Sequence, residues 1–515
     1  MASKKNPMGR RGFLQGAAAL VGTAPVAMAQ QGQLAQNRGG IAAPGDSSAA
    51  RAEVLTNERP GSDFMLDVIK SLGLEFAAAN PASSCRALHE SIINYGRNKD
   101  PELLTCCHEE SSVAMGHGYA KIEGKPMMAM VHGTVGTQHA AMAVYNAWCD
   151  RVPTIVILGN EMDAAARRGY VDWSHSAQDA ALIIRDYTKW DDAPTSLQHF
   201  AESLVRAYKI AMTPPMGPVA IVASGKLQEE PIEERDLRIP KLSSTTPPQG
   251  DTGAIAEAAK ILVNAENPVI VAGRLARTPN GMKLLVELAE TLQASVNDQR
   301  NRMNFPSAHP LYNTGTVANA DVLLTLEVED TFSLTHRTSP LNRIGIDAPT
   351  KITKNGSKII SISSLELLQK SNYQDFARYN ELDMSIAGDG EATLPILIDA
   401  CKKLITADRK RALQERGARL AEIHRRNAEQ ARVQAAIGWE SSPLTPARIS
   451  AELWALIKNV TGRWSATINS LAAGRRGYGI SKSIISSSAD PEEKVWAMER
   501  QRPWALLWPT KSMAD

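Results

Sequence analysis

The sequence predicts an α/β protein with two doubly wound, mostly parallel-sheet domains, preceded by a signal peptide and followed by an irregular tail. Short continuous apolar runs lie next to Gly, Pro or Asn residues, and helix-like stretches separate them, which is typical of parallel sheets covered on both faces. The chain has 515 residues, of which 43% are hydrophobic and 22% charged, as expected for a soluble protein of about three domains. A net charge of +2 argues against a nucleic-acid-binding protein, which would present a basic face or run.

Residues 1–29 have the layout of an export signal. Two lysines and the pair Arg10-Arg11 precede a mostly apolar run over 13–29, which ends in small residues. This order is typical of a signal peptide, and the adjacent arginines resemble the twin-arginine export signal. An ordinary secretory signal or an uncleaved amphipathic start is the alternative. We expect a bacterial periplasmic protein without a stable membrane anchor, because the run is short and rich in Gly and Ala.

Residues 30–60 are rich in Gln, Gly, Ala and Ser and predict a flexible linker. The first α/β domain is predicted over 61–230. Its strand candidates are apolar runs bounded by turn residues, at 74–80, 127–132, 154–159 and 219–224. Helix-like stretches include 111–123 and 198–211. Residues 231–250 are charged and then rich in Ser, Thr and Pro, so they predict an interdomain linker.

A second α/β domain is predicted over 251–400. Its strand candidates lie at 267–273, 320–326 and 358–364. Residues 401–459 predict a helical connector, since 402–434 are rich in Lys, Arg, Glu and Ala, and 445–458 place Pro446 in a first helical turn.

The cysteines favour neither a metal site nor a disulfide framework. The chain has five, and they show no Cys-x-x-Cys pattern and no Cys/His spacing of a zinc site. We therefore predict no metal-ligating residues and expect buried free thiols at Cys85, Cys106, Cys107, Cys149 and Cys401.

The clearest chemical pattern lies in residues 79–160. His108-Glu109 stands at a predicted helix start, Gly118-Tyr119-Ala120 follows within that helix, and a predicted strand ends in the run HGTVGT at 132–137. This combination resembles the pyrimidine-binding domain of thiamine-diphosphate-dependent enzymes, and in particular their acetolactate synthase and benzoylformate decarboxylase branch. The resemblance covers roughly residues 61–459, because the run NPVIVAGR at 267–274 is also typical of that branch.

The resemblance implies that Glu109 hydrogen-bonds N1′ of the cofactor's aminopyrimidine. The family's glutamate precedes the Gly of Gly-Tyr-Ala by nine residues, a spacing that selects Glu109 and not Glu110. A carboxyl group that shares a proton in apolar surroundings favours the imino form of the pyrimidine, which can accept the C2 proton of the thiazolium. Burial is therefore expected to raise the pKa of Glu109. A helix-start acid stabilised by the helix dipole would be the simpler interpretation of an isolated glutamate.

Two further catalytic candidates follow from the same resemblance. His132 matches a histidine that transfers protons to the bound adduct, and imidazole suits this role because its pKa lies near neutrality. A histidine satisfied at a strand end is the alternative. Asn80-Pro81-Ala82-Ser83 resembles the family's Asn-Pro-Gly-Ser loop, whose serine contacts the substrate carboxylate, although Ala82 replaces the usual Gly. Ser83 is therefore a candidate, and a plain turn accounts for the segment equally well.

The remaining cofactor-binding candidates flank these residues. We expect a loop beside the pyrimidine in which glycines permit close backbone approach to a ligand. Together with Glu109, the predicted cofactor contacts are Asn80, Pro81, Gly133, Gly136, Thr137 and Gln138.

Gly388-Asp389-Gly390 matches only the first half of the family's magnesium motif. In the family an Asn-Asn pair follows some 25–30 residues later, and Asp, Asn and a carbonyl hold Mg²⁺ on the diphosphate, in keeping with that ion's preference for oxygen ligands. Here the following stretch is QERGARLAEIHRR, without such a pair. The sequence therefore predicts an ordinary turn at 388–390 and no Mg²⁺ ligands.

The predicted irregular tail, 460–515, has a composition unlike the rest of the chain. It contains four of the nine tryptophans, clustered Arg and Ser, and no strand and helix alternation. When the last base of each codon is read with the first two bases of the next codon, Trp496, Met498 and Trp504 each give Gly and Trp508 gives Ala. These residues fall where the family's diphosphate domain begins with a Gly- and Ala-rich motif. We therefore expect a frameshift near codon 459–460, either a sequencing error or a true pseudogene.

Three function classes are compatible with these patterns to different extents. The first is an exported thiamine-diphosphate enzyme that makes or breaks a C–C bond on a small 2-oxo acid, as a homodimer or homotetramer assembled through the pyrimidine-binding domain. This chain alone is expected to bind the cofactor weakly. The second is a non-catalytic remnant or interaction module that pairs with an intact paralogue. A nicotinamide oxidoreductase is disfavoured, because no Gly-x-Gly-x-x-Gly follows a predicted strand.

Overall fold

The structure of the protein is a computed structural model that describes residues 58–167, 169–233, 236–299, 302–337, 348–368 and 378–457, with two short strands at 464–466 and 484–486. The predicted signal peptide and nearly all of the predicted first linker lie outside these residues, as does the predicted tail apart from the two short strands. Within the described residues, two parallel sheets flanked by helices confirm the predicted fold class.

The first domain is built on a six-stranded parallel sheet in the order β2-β1-β3-β4-β6-β5. Its inner strands consist of apolar residues that are buried on both faces, as a sheet between two helix layers requires. Four of the strands match the predicted ones, whereas β2 and β5 are edge strands with exposed or acidic residues that gave no continuous apolar run. The strands are β1 (Phe76–Ala79), β2 (Glu102–Thr105), β3 (Met128–Val131), β4 (Ile155–Asn160), β5 (Trp190–Asp192) and β6 (Val219–Ser224).

Helices cover both faces of this sheet. One core contains Met65 and Phe200 from the helices on one face, and a second core contains Val113 and Val144 from the helices on the other face. The helices predicted at 111–123 and 198–211 are confirmed as α3 and α6. In chain order the helices are α1 (Gly61–Ser71), α2 (Arg86–Glu90), α3 (Glu109–Glu123), α4 (Thr134–Cys149), α5 (Gly169–His175), α6 (Leu197–Met212) and α7 (Gly225–Glu229).

The second domain has a five-stranded parallel sheet in the order β13-β12-β9-β7-β8. The three inner strands are the predicted ones, and the two edge strands are again those that the sequence does not predict. The strands are β7 (Pro268–Ala272), β8 (Ser295–Asp298), β9 (Val322–Leu326), β12 (Lys358–Ser363) and β13 (Met384–Ala387), and the two-residue strands β10 (His336–Arg337) and β11 (Thr350–Lys351) form a separate antiparallel pair.

The helices of the second domain begin at side chains that cap them. In three of them a side-chain oxygen accepts a hydrogen bond from a backbone N–H of the first turn, a donor that has no partner within the helix. The capping residues are Asp251, Thr278 and Asp389. Pro279 occupies the first turn of its helix, where its missing N–H costs nothing. These helices are α8 (Thr252–Asn264), α9 (Pro279–Leu292), α10 (Thr331–Thr335) and α11 (Gly390–Leu404).

The predicted helices of the connector are confirmed as α12 (Ala407–Ala436) and α13 (Pro446–Ile457). Arg416 of α12 is buried, and its guanidinium donates to the carbonyls of Leu292, Gln293, Ala265 and Glu266. These carbonyls include ones at the end of α9, so a single arginine satisfies backbone acceptors at a helix end and attaches α12 to the second domain.

Ion pairs join the two α/β domains, which belong to one compact unit. Asp150, directly after α4, is 3.2 Å from the guanidinium of Arg274, which follows β7. The same carboxylate is 2.6 Å from Nζ of Lys121 and 2.9 Å from Nε2 of His117. Three cationic or ionisable groups therefore surround one carboxylate at the boundary between the domains, and they hold the pKa of Asp150 well below its usual range despite its burial.

All five cysteines are free. Cys85, Cys106, Cys149 and Cys401 are buried as predicted, but Cys107 is exposed, because it lies in the turn between β2 and α3. Residues 464–466 (β14) and 484–486 (β15) pair as short antiparallel strands. Within the part of the chain that the structure describes, no helix has the length and apolar character needed to cross a bilayer.

Candidate cofactor site

The predicted site residues converge at the carboxyl edge of the first sheet. The chain passes from β1 to β2 on one side and later to β3 on the other, so the order of strands reverses beside β1. Asn80 follows β1, Glu109 begins the helix after β2, and His132 follows β3. In open α/β sheets the crevice at such a reversal point is where ligands bind.

Glu109 is the buried acid of this crevice, with only 3% of its surface exposed. It is the first residue of α3, where the helix dipole favours a negative charge. Its carboxylate accepts a hydrogen bond from the Asn80 amide, and its Oε2 lies 3.3 Å from Nδ1 of His139. The residue selected by the spacing to Gly-Tyr-Ala is therefore the one held in the crevice, whereas Glu110 is exposed.

The expected rise in the pKa of Glu109 is not found. Burial does push the pKa of this carboxyl upward, but hydrogen bonds from its own backbone N–H, from Asn80 and from His139, together with the charge of His139, outweigh it and hold the pKa below its ordinary value. The prediction considered burial alone and did not include the polar groups that approach the carboxylate.

Gly136 leaves space for this carboxylate. A Cβ at position 136 would lie 2.9 Å from Oε1 of Glu109 and 2.9 Å from Cβ of His132, closer than non-bonded atoms approach. The absence of a side chain at Gly136 therefore permits the close approach of the Glu109 carboxylate and the His132 Cβ to the start of α4.

The residues predicted to form a loop beside the pyrimidine are helical instead. Only Gly133 precedes the helix, and Gly136, Thr137 and Gln138 lie in the first turns of α4. The Thr137 hydroxyl donates to the Gly133 carbonyl at 2.7 Å, so it stabilises the helix start rather than facing a ligand. Gln138 is exposed. The prediction of a loop was wrong because the glycines in this run suggested a break, whereas α4 begins directly after Gly133.

His132 contacts Ser84 through Nδ1. The Ser84 Oγ accepts a hydrogen bond from the Gly133 N–H at 3.1 Å and lies 2.7 Å from Nδ1 of His132. When the Ser84 hydroxyl donates its proton to Nδ1, the ring proton of neutral His132 is on Nε2. Burial and the nearby His175 lower the pKa of His132, so the neutral form dominates near pH 7.

A cavity of about 190 Å³ adjoins His132. Ser83, Ser84 and His175 line it, and the ring of His175 meets that of His132 edge to face at 4.6 Å between centroids. Among the described residues, no group hydrogen-bonds to the buried Nδ1 of His175. Ser83 therefore lies beside His132 as predicted, but it is Ser84 that contacts the imidazole.

Sequence reasoning missed Ser84, His139 and His175. Ser84 directly follows the predicted Ser83. His139 is three residues beyond Gly136, and this spacing of one helical turn could have identified it. His175 lies in α5, far from the other residues in sequence, and gave no signal. Pro81 directly follows Asn80 and is exposed.

Among the described His, Cys, Asp and Glu residues, one group of three could hold a metal ion. It consists of His108, Glu109 and His139, whose ligand atoms lie within 4.8 Å of one another. Two imidazoles and one carboxylate differ from the all-oxygen set that Mg²⁺ prefers. Asp389 of the Gly-Asp-Gly run accepts a hydrogen bond from the Ala392 N–H as the N-cap of α11 and pairs with Arg277. The run predicted as an ordinary turn is therefore the start of a helix.

The fold and the site define a cofactor-binding protein of two doubly wound domains, with one buried carboxylate and one imidazole at the first reversal point. Family models give the assignment. The N-terminal cofactor-binding domain of thiamine pyrophosphate enzymes matches residues 59–180, and the central domain of the same enzymes matches 255–397. The two matches together cover just over half of the chain, which belongs to the thiamine pyrophosphate enzymes, in their acetolactate synthase and benzoylformate decarboxylase branch.

Individual relatives agree with this assignment. The acetolactate synthase large subunit of Haemophilus influenzae is 25% identical over 271 residues, which are 51% of this chain and 43% of that protein. The acetolactate synthase of Bacillus subtilis is 22% identical over 236 residues, or 45% of this chain and 39% of that protein. The chain thus spans about two-fifths of the length of these curated relatives.

Solved structures show the same fold. Benzoylformate decarboxylase from Polynucleobacter necessarius superposes with a TM-score of 0.54 at 20% identity, covering 67% of this chain and 61% of that one. The 4-hydroxybenzoylformate decarboxylase of Rhodococcus jostii RHA1 gives a TM-score of 0.52 at 21% identity, with coverage of 66% and 62%.

Proposed function

We propose that Glu109 binds the aminopyrimidine of thiamine diphosphate and that the chain derives from an enzyme that makes or breaks a C–C bond on a 2-oxo acid. The observation that supports this proposal is the buried Glu109 carboxylate at the reversal point of the first sheet, which packs against Gly136 and lies 3.3 Å from His139. When bound, the cofactor supplies an electron sink for carbanion chemistry next to a carbonyl.

The residues around the crevice suit separate roles in that reaction. Glu109, whose polar neighbours keep its pKa below the ordinary value, would accept a hydrogen bond from the pyrimidine ring and, as a carboxylate, take up the proton that the ring exchanges. His132, neutral and with its proton on Nε2, would donate a hydrogen bond from Nε2–H to an oxygen of the substrate. Ser84 favours this tautomer when its hydroxyl donates to Nδ1.

A small 2-oxo acid fits the cavity beside His132. The Ser83 hydroxyl lines this cavity and offers a donor to a substrate carboxylate. The cavity is also lined by acids, among them Glu161 and Glu229, but Glu161 accepts the Lys226 N–H at 2.7 Å and Glu229 pairs with Arg86. These pairings reduce the repulsion that an anionic substrate would meet.

We also propose that this chain alone binds the cofactor weakly. Mg²⁺ on a diphosphate prefers oxygen ligands, whereas the group of potential metal ligands that includes Glu109 contributes two imidazoles, His108 and His139. The predicted frameshift near codon 459–460 is the proposed cause, and the affected residues lie almost entirely outside those described. Resequencing the gene tests this cause, and an intact reading frame through that point would contradict it.

Calorimetric titration of the purified chain with thiamine diphosphate and Mg²⁺ tests the weak binding, since micromolar affinity would contradict it. The function itself is tested on a gene with the reading frame restored by one base. We expect 2-oxo acid turnover, with pyruvate and benzoylformate as probes, that falls at least about 100-fold in Glu109→Gln, because Gln cannot hold the proton. Glu110→Gln, an exposed neighbour, is the matched control, and equal loss in both variants would refute the role of Glu109.

The alternative is a non-catalytic module that pairs with an intact paralogue. The exposed apolar side chains of Met115 and Met142, on α3 and α4, give such a partner a surface to cover. Co-purification of the tagged chain with a full-length thiamine-diphosphate enzyme, and no turnover by the frame-restored protein, would favour this alternative.

The cellular location and the oligomeric state of the protein are also proposed. We infer twin-arginine export to the periplasm from the N-terminal motif, and a homodimer or homotetramer from the family. Fractionation of cells that express the full chain, compared with an Arg10→Lys/Arg11→Lys variant, tests the first inference. Light scattering of the purified protein tests the second.

A further inference from the structure

Two imidazoles and one carboxylate meet where α3 begins beside α4. His108 directly precedes α3, Glu109 is the first residue of that helix, and His139 lies in α4. Each of the three residues has a potential ligand atom within 4.8 Å of those of the other two. His139 follows Glu109 by 30 residues, so the fold and not the spacing along the chain brings this group together.

Glu109 is the fixed member of the group. It is buried, and the Asn80 amide donates a hydrogen bond to its carboxylate. A carboxylate that binds a metal ion is usually held by such a second contact, which orients its oxygens. The two oxygens together offer about four lone-pair positions, so the contact with Asn80 leaves others for an ion.

The distance between His139 and Glu109 is already that of two ligands of one ion. Nδ1 of His139 lies 3.3 Å from Oε2 of Glu109. Nitrogen and oxygen ligands stand about 2.0–2.2 Å from Zn²⁺, so two of them in a tetrahedral site are about 3.4 Å apart. An ion can therefore replace the proton between these two atoms without a change in their separation.

One ring of the histidine pair has to turn before both histidines bind the same ion. The rings of His108 and His139 are stacked, with centroids 4.8 Å apart and an angle of 19° between their planes. The lone pair of an imidazole nitrogen lies in the plane of its ring, so two stacked rings do not point at one ion. The His139 side chain is 48% exposed, which leaves this ring room to turn.

Binding also removes a helix cap. Nδ1 of His108 accepts a hydrogen bond from the Glu110 N–H at 3.2 Å. An ion on Nδ1 uses that lone pair, and an ion on Nε2 leaves the ring proton on Nδ1, so the cap is lost in either case. The loss of one such contact lowers the affinity for the ion by about fivefold, a small part of the affinity of a site with three ligands.

We propose that His108, Glu109 and His139 bind one divalent transition-metal ion such as Zn²⁺. Two imidazoles and one carboxylate are a ligand set of zinc sites that keep a fourth position open for water. Imidazole nitrogen suits Zn²⁺, Cu²⁺ and Ni²⁺, whereas Mg²⁺ prefers oxygen ligands. The ligand set therefore selects a transition metal over Mg²⁺.

Such an ion occupies the carboxylate that the proposed function assigns to the aminopyrimidine. A carboxylate oxygen that binds Zn²⁺ is not available to take up a proton from a ring, so the ion and the ring exclude each other at Glu109. This consequence depends on the proposed function, whereas binding of the ion does not. The ion is therefore tested without thiamine diphosphate, so that failure of one proposal is distinguished from failure of the other.

Calorimetric titration of the full chain with Zn²⁺, free of any histidine tag, tests the site. We expect one Zn²⁺ per chain and an affinity at least about tenfold lower in His139→Ala, because even the loss of a group that only orients a ligand costs that much. His199→Ala is the matched control and should bind like the unmodified chain. His199 is 39% exposed and lies 3.1 Å from Asp192, but it belongs to no group of three potential ligands among the described residues.

Two further titrations separate this site from other sources of metal binding. Cys107→Ser removes the exposed thiol beside His108 and should leave Zn²⁺ binding unchanged. Mg²⁺ in place of Zn²⁺ should bind at least about tenfold more weakly, because imidazole suits it poorly.

Absence of Zn²⁺ binding, or equal affinity of His139→Ala and the unmodified chain, refutes the site. A loss in Cys107→Ser as large as that in His139→Ala would also overturn the proposal, because it would show that the thiol holds the ion. Mg²⁺ binding as tight as that of Zn²⁺ would contradict the assigned ligands. Should His139→Ala fail to fold by circular dichroism, His139→Gln keeps a polar side chain without the imidazole, and unchanged affinity in that variant would equally refute the site.

Discussion

Glu327 is a buried acid that should be replaceable by glutamine with a gain in stability at alkaline pH. Its Oε1 accepts the backbone N–H of Gly390 at 2.7 Å and that of Ser364 at 3.0 Å. Its Oε2 lies 2.9 Å from the Ser364 hydroxyl and 3.3 Å from the Ser363 hydroxyl. A glutamine in place of Glu327 can keep its Oε1 on the two backbone donors and turn its amide nitrogen toward the two hydroxyls, which accept as well as donate.

The magnitude follows from the pKa of the acid. Burial raises the pKa of Glu327 from its ordinary 4.5 to about 7. Between these values the folded state holds a proton that the unfolded state has lost, so stability falls as pH rises through this window. At 1.36 kcal/mol for each pKa unit, the ionised group costs the folded state about 3 kcal/mol above pH 7.

Glu327→Gln removes this cost. The free energy of unfolding of the variant should be close to that of the unmodified chain near pH 4.5 and about 3 kcal/mol higher at pH 8. Urea unfolding at several pH values measures this difference in the free energy of unfolding. Pulsed hydrogen exchange with mass spectrometry on strand β9 reports the unfolding of the middle domain separately. Glu257→Gln, which replaces an acid of α8 with 53% of its side chain exposed, is the control and should show no such pH dependence.

A stability difference between the Glu327 variant and the unmodified chain that stays constant from pH 4.5 to 8 would refute the reasoning. So would a variant that is less stable at pH 8, because it would show that the folded state holds the carboxylate ionised at little cost.

Three further substitutions test the first site and the domain boundary. Gly136→Ala should destabilise the chain by about 1–3 kcal/mol in thermal unfolding, since its Cβ would lie 2.9 Å from Oε1 of Glu109. An unchanged melting temperature would contradict this, because it would show that the Glu109 side chain moves aside. Asp150→Asn should cost about 3 kcal/mol, because it removes the counterion of the half-buried Lys121 and one of the two acidic partners of Arg274. A loss below about 1 kcal/mol in the same assay would contradict this. Ser84→Ala should reduce the Nε2–H tautomer of His132 in ¹⁵N NMR spectra, and an unaltered tautomer ratio would argue that another group fixes the ring.

The sequence predicted the inner strands of both sheets because burial on two faces requires continuous apolar runs, and such runs are visible without any other information. It did not predict β2, β5, β8 or β13, which are the edge strands. An edge strand is covered on fewer sides and tolerates charged residues such as Glu102. Its strand character depends on a neighbour in space, which local composition does not reveal.

The site was predicted at the level of motifs but not of contacts. Glu109 and His132 were found because each stands at a fixed spacing from glycines or a strand end. The role of Ser84 depends on which of two adjacent serines faces an imidazole 48 residues later. The low pKa of Glu109 depends on Asn80 and His139, which approach the carboxylate from two other elements.

In both sheets, polar side chains lie at the carboxyl edge where the order of strands reverses. The crevices at these two points differ in charge. The first lies beside the buried carboxylate of Glu109, and the lysine that lines the neighbouring cavity, Lys226, is paired with Asp163. The second, at the carboxyl edge of the middle-domain sheet, is lined by four arginines and three acids. A neutral ring meets less unfavourable charge at the first crevice than an anion does, because acids such as Glu161 and Glu229 outnumber the lysine in the lining of its cavity. We therefore expect the calorimetric titration with thiamine diphosphate to show weak binding by the chain alone, and micromolar affinity would contradict this expectation.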